Sequence, residues 1–135
     1  MLKKKITYQD FNGDEVTEVL HFHFNKMELA KLEVKYSGDI EKHIRGLQAR
    51  QDGLAMFDFI EELVLSAYGE KSEDGKRFIK TKEVRERFEY SQAYAELFEQ
   101  LLTMPDEARK FGEGLIQNPG AEKAANAKAI TNLMK

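Results

Sequence analysis

Between Gly53 and Tyr68 the chain carries Leu54, Met56, Phe57, Phe59, Ile60, Leu63, Val64, Leu65 and Tyr68. At helical spacing these cover well over half of a helix's circumference, so a helix here must be covered on several sides. That requirement predicts a central core helix, with Gly69 at the place of a left-handed C-cap. The stretch from Ala67 to Lys80 then leads through a charged loop into further helical sequence, with no pattern of catalytic residues in it.

The segments on either side are shorter and more regular. Residues alternate from Lys3 to Tyr8 and from Glu15 to Phe24, with Val16, Leu20, Phe22 and Phe24 on one face and Thr17, Val19, His21 and His23 on the other. Asn12-Gly13 between them tolerates the positive φ of a tight turn, which predicts a β-hairpin over residues 3–24. A lone hairpin is marginal in water, so its apolar face must pack on helices or its edge must pair with another chain.

Asn25 with Glu28 three residues later predicts a capping box and a helix to about Tyr36, ended by Ser37-Gly38. Ile40, Ile44 and Leu47 predict a second helix over Asp39 to Arg50, in which Gly46 is weakening. Thr81 and Ser91 are placed to cap two more, the second striped by Tyr94, Leu97, Phe98, Leu101 and Leu102. Pro105, Asp106 and Glu107 suit the first turn of a last helix with Phe111, Leu115 and Ile116 on its buried side. The expected architecture is a single α+β domain over residues 1–117, an N-terminal hairpin followed by four to six helices within 26–116. Phe57, Ile60, Leu63, Val64, Leu97, Phe98 and Leu101 are its expected core. Asn118-Pro119-Gly120 breaks the chain, and the alanine-rich residues 118–135, with Ile130, Leu133 and Met134, read as a tail or a docking helix.

A chain of 135 residues suffices for one core. Its formal charge of −3 is distributed without segregation, which argues against nucleic acid or an anionic membrane as partner. No cysteine is present, so thiolate metal sites and cysteine nucleophiles are excluded. Neither a signal-peptide pattern nor an apolar run of membrane-spanning length is found, and the cytosol is the default location.

Candidate chemistry is sparse. His21 and His23, two apart on a strand, could share a metal, but no third ligand with recognisable spacing accompanies them. Glu61 and Glu62 diverge by about 100° on a helix and cannot face each other as an acid and base pair. Ser72-Glu73-Asp74-Gly75 hints at a calcium loop whose ligand register is wrong, and a tight turn at Asp74-Gly75 explains the same residues. Lys3-Lys4-Lys5 and Lys76-Arg77 lack the interleaved aromatics of a single-strand binding groove. No phosphate loop or nucleophile elbow occurs, and no cofactor is expected.

Three stretches together resemble the small tail assembly chaperones of siphophages and prophages of Gram-positive bacteria. They are KKKITYQDFNGDEVTEVLHFHFNKMELAKLE near the start, QDGLAMFDFIEELVLSAYGEKSEDGKRFIK in the middle, and SQAYAELFEQLL followed by the acid-capped helix that ends near Ile116. The resemblance spans about Ile6 to Ile116. It implies a non-enzymatic protein of the host cytoplasm that binds and solubilises the tape measure protein, helps recruit tail tube subunits, and is generally absent from the finished virion. A chaperone for a long helical protein needs apolar grooves rather than a reaction centre. The apolar surplus of the third helix makes Met56, Phe59 and Leu65 the candidate residues for a partner or for a homo-oligomer, unless neighbouring helices bury them all. A structural virion component, such as a head-tail connector or tail terminator, is the alternative. A toxin-like or regulatory enzyme would require a pocket that gathers His21, His23 or His43 with carboxylates.

Overall fold

In the computed structural model, residues 1–36 and 38–116 are described. Strands β1 (Leu2–Gln9) and β2 (Glu15–Phe22) form the hairpin, in antiparallel register from Leu2 opposite Phe22 to Gln9 opposite Glu15. Its loop is closed by Asp10, whose Oδ1 accepts the amides of Asn12 at 2.9 Å and Asp14 at 3.0 Å, while Gly13 takes φ +86°. Six helices follow among the described residues: α1 (Lys26–Lys35), α2 (Ile40–Arg50), α3 (Gly53–Ala67), α4 (Lys82–Glu89), α5 (Gln92–Thr103) and α6 (Pro105–Ile116). The fold is α+β, as expected. The reading of residues 118–135 as a tail or docking helix lies outside the described residues.

Local chemistry sets the helix starts. The capping box of α1 is complete: Asn25 Oδ1 accepts the Glu28 amide at 2.8 Å and Glu28 Oε1 accepts the Asn25 amide at 3.0 Å. Asp39, Asp52, Thr81 and Ser91 cap α2, α3, α4 and α5 in the same N-cap manner.

The charged loop departs from the expectation of a plain connector. Tyr68–Lys71 forms β3, which pairs antiparallel with β2, and Phe78–Ile79 forms β4 against β3, giving a four-stranded sheet in the order β1-β2-β3-β4. Gly69 is therefore no left-handed cap: it lies in β3 opposite His21. A Cβ there would come within 2.6 Å of the Phe78 ring and 2.9 Å of the Ile79 carbonyl oxygen, so it is close approach of chain to chain that requires glycine. The Asp74-Gly75 turn forms as expected, with Gly75 at φ +72° and Asp74 Oδ1 accepting from the Ser72 hydroxyl at 2.6 Å and the Lys76 amide at 3.0 Å. These donors hold the Asp74 carboxyl below its ordinary range.

The centre of the core also differs from expectation. Phe22 of β2 is fully buried and meets Phe111 of α6, Tyr68 and Phe88 of α4 edge-on at ring distances of 5.0, 5.7 and 5.9 Å. Tyr68 and Phe88 are stacked on each other at 4.0 Å. The hairpin, rather than α3, thus supplies the hub. Leu63, Val64, Leu97 and Leu101 are buried as expected, but Ile60 and Phe98 are half-buried and Phe57 is 46% exposed. The correction has a geometric cause: α3 packs against α2 and is tied to α1 through Glu62, while its first turns keep Leu54 and Phe57 in solvent.

Candidate partner-binding groove

A groove of about 790 Å³ lies between α2 and α6, floored by α3. Its position follows from three amphipathic patterns that do not close on one another. On α2, Ile40 and Leu47 turn into the core and leave Ile44 half-exposed at the groove wall. On α3, Phe59, Leu63 and Val64 are buried and form the floor, with Met56 and Ile60 half-exposed above them. On α6, Phe111 and Leu115 face the core, while Ala108, Gly112 and Ile116 recur at i, i+4 and i+8 along the groove. Two of these three are small. A Cβ on Gly112 would meet nothing within 4 Å, so the space beside that helix is open.

The rim is charged and internally paired. Arg45 approaches Glu41 at 4.0 Å on the α2 side, and Arg109 approaches Glu113 at 3.5 Å and Asp106 at 3.8 Å on the α6 side. Apolar floor and charged rim together are the arrangement that accepts the apolar face of a helix while its polar face stays wet.

Of the residues singled out from the sequence, the structure brings Met56 and Phe59 to this groove and leaves Leu65 out of it. Phe59 is only 5% exposed, its ring held edge-on by Tyr36 at 5.2 Å and against His43 at 5.1 Å, so it supports the floor from below. Leu65 packs half-buried on the core. Ile44, Ile60 and Ile116 are the wall residues that sequence reasoning did not assign to a partner. The i, i+4, i+8 series of Ala108, Gly112 and Ile116 on α6 was the available signal.

The ionisable groups serve packing. Glu62 accepts from Tyr36 Oη at 2.8 Å and from Lys35, tying α1 to α3. Burial raises the Glu62 carboxyl, but the hydrogen bonds from Lys35 and Tyr36 prevail and hold it below its ordinary range. Burial and the Glu62 contact push the Tyr36 hydroxyl up to about 12. The three histidines occupy separate settings: His21 opposite Lys3 and Gly69, His23 edge-on to Phe78 at 6.2 Å, and His43 on Tyr36 at 4.4 Å. None lines the groove. Among the described residues, no three histidine, aspartate or glutamate side chains are grouped to hold a metal, and no helix is long and apolar enough to cross a membrane.

A family model described as phage tail assembly chaperone matches residues 1–132. The chain belongs to that family. The match extends beyond the span on which the sequence resemblance rests and takes in residues 118–132. No curated protein and no solved structure matches the chain.

Proposed function

We propose that this tail assembly chaperone acts without catalysis, by holding an amphipathic helical segment of a tape measure protein in the groove between α2 and α6. The observation that carries the reading is the groove itself: a wall of half-exposed Ile44, Met56, Ile60 and Ile116 over a buried floor, with ion pairs on both rims. An apolar groove of this kind fits an i, i+3, i+4, i+7 series of apolar side chains from a partner helix. Covering those side chains keeps a long helical protein soluble in the host cytoplasm until tail tube subunits are recruited onto it. Oligomers of the chaperone would match the many such segments along one tape measure protein.

Coexpression tests the reading. The chain should raise the soluble yield of the tape measure protein from its own gene cluster, and Gly112→Leu, which fills open space in the groove, should abolish the gain while leaving the thermal unfolding of the chaperone intact. Ile60→Asp should act in the same direction by placing a charge on the wall. A chain that neither binds nor solubilises the tape measure protein, and that is recovered stoichiometrically in mature particles, is a virion component and the proposal falls.

A further inference from the structure

We infer that this chain self-associates head to tail, the basic outer face of the sheet in one copy lying on an acid-flanked apolar face that α3 and α5 leave open in the next. This does not depend on the groove being the site of the tape measure helix.

The basic face follows from strand alternation. Lys3, Lys4 and Lys5 are one run in the sequence, but β1 sends Lys4 to the helix side, where it donates to Glu107 at 2.7 Å, and Lys3 and Lys5 to the other. The register sets Lys3 beside His21 and Lys5 beside Val19, and His21 in turn beside Gly69 of β3. Lys71, two residues further along β3, falls on the same side. Ile6, Leu20 and Phe22 fill the inner side of the sheet, whereas Lys3, Lys5, Lys71 and Val19 are exposed, Val19 to 48%. Among the described residues none of these three lysines has an ion-pair partner. Burial and then the charges of Lys71 and Lys3 lower the His21 pKa, which places both ammonium groups near that ring.

The second face is the flank of α3 and α5 turned away from the core. Neither helix contains a lysine or an arginine. Leu54, 74% exposed, lies there with Phe57 and Leu102, and the Phe57 ring meets half-buried Phe98 at 5.5 Å. Asp58 and Glu61 stand on the α3 side and Glu99 on the α5 side. All three are exposed, and among the described residues none is in an ion pair.

The two faces match in layout as well as in sign. Two strand spacings across β1, β2 and β3 come to about 10 Å, and two packed helices lie about 8–10 Å apart. Lys3 and Lys5 are about 7 Å apart along β1, close to the roughly 5–6 Å between Asp58 and Glu61 at i and i+3. With that pair of lysines on that pair of carboxylates, Lys71 on the far strand falls towards Glu99 on the far helix, and Val19 falls on the apolar centre. Every copy carries both faces, so a second copy is the occupant that satisfies both at once. Because the faces share no residue, the contact is heterologous and repeats from copy to copy, into a ring or an open chain.

Sedimentation velocity of the full chain at low salt should show a mass that passes two copies as concentration rises and that falls as salt screens the contact. A carbodiimide, which joins amines to carboxylates in contact, should link Lys3 or Lys5 of an unlabelled chain to Asp58 or Glu61 of an isotope-labelled one. Lys3→Glu with Lys5→Glu, and separately Asp58→Lys with Glu61→Lys, should each weaken association at least about tenfold, since like charges then face one another. Mixing the two variants puts opposite charges back at the contact and should restore association. Where a variant fails to fold by circular dichroism, the cross-links in the unaltered chain decide. A chain that stays monomeric, one that stops at two copies, or cross-links between copies that miss these residues overturn the proposal. Association that nuclease abolishes overturns it in favour of nucleic acid on the lysine face. No readout involves the tape measure protein, so failure here leaves the reading of the groove untouched.

Discussion

Lys80 Nζ donates to Glu28 Oε2 at 2.8 Å, while the other carboxylate oxygen of Glu28 completes the capping box of α1. Lys80 also donates to the His23 carbonyl oxygen at 2.6 Å and lies over the Phe24 ring at 5.0 Å. One half-buried ammonium thus ties the exit of β4 to the end of the hairpin and the start of α1. Burial lowers its pKa and the Glu28 carboxylate opposes that shift. Lys80→Met should destabilise the fold by about 1–3 kcal/mol, the range for a hydrogen-bonded charged group that loses its partner. Denaturant unfolding measures it, and Lys82→Met, whose side chain is 80% exposed beside Glu86, should remain within about 0.5 kcal/mol of the unaltered chain.

Two glycines should respond oppositely to alanine. Gly69→Ala drives a methyl group against the Phe78 ring and the Ile79 carbonyl and should destabilise by about 1–3 kcal/mol. Gly46→Ala, in the interior of α2 with open space around it, should stabilise by up to about 1 kcal/mol through helix propensity alone. Thermal melts of the two variants, read by circular dichroism, decide both signs.

The aromatic residues should separate by depth. Phe22→Ala removes the hub that touches Tyr68, Phe88 and Phe111 and should lose about 3–5 kcal/mol. Phe57→Ala removes an exposed ring whose contact is Phe98 at 5.5 Å, and the loss should be about 1 kcal/mol, the scale of a surface aromatic pair. Equal losses at the two positions in urea unfolding would contradict the placement of the core under the sheet.

His21 gives the fold a pH dependence of known sign. Burial, followed by the nearby Lys71 and Lys3, holds its imidazole below the ordinary value of 6.5. The unfolded chain then takes up this proton more readily than the folded one, so the contribution of His21 is complete above pH about 6.5 and is lost as pH falls through the folded value. A titration followed by NMR should show the His21 imidazole titrating below 6.5. His21→Gln should flatten the decline in stability between neutral and mildly acidic pH.

What could be read from the sequence was local. Asn25 with Glu28, Thr81 and Ser91 marked helix starts because a cap is satisfied within three residues of itself, and Asn12-Gly13 marked the hairpin because a positive φ is a property of the turn alone. The alternation of β2 likewise told which face would be buried, since strand periodicity carries that information. The candidate site was only partly legible: Met56 and Phe59 line the groove, but nothing in α3 says which of its apolar residues a neighbour will cover. Leu65 went to the core, Phe57 to solvent and Ile60 to the groove wall because of where α2, α5 and α6 come to lie. The conversion of the Tyr68–Ile79 loop into two strands was decided the same way, by the open edge of β2, which offered backbone partners that no residue within the loop could announce. Periodicity within a segment determines that a face is apolar; only the packing of segments far apart in the chain decides whether that face becomes core, surface or the wall of a groove.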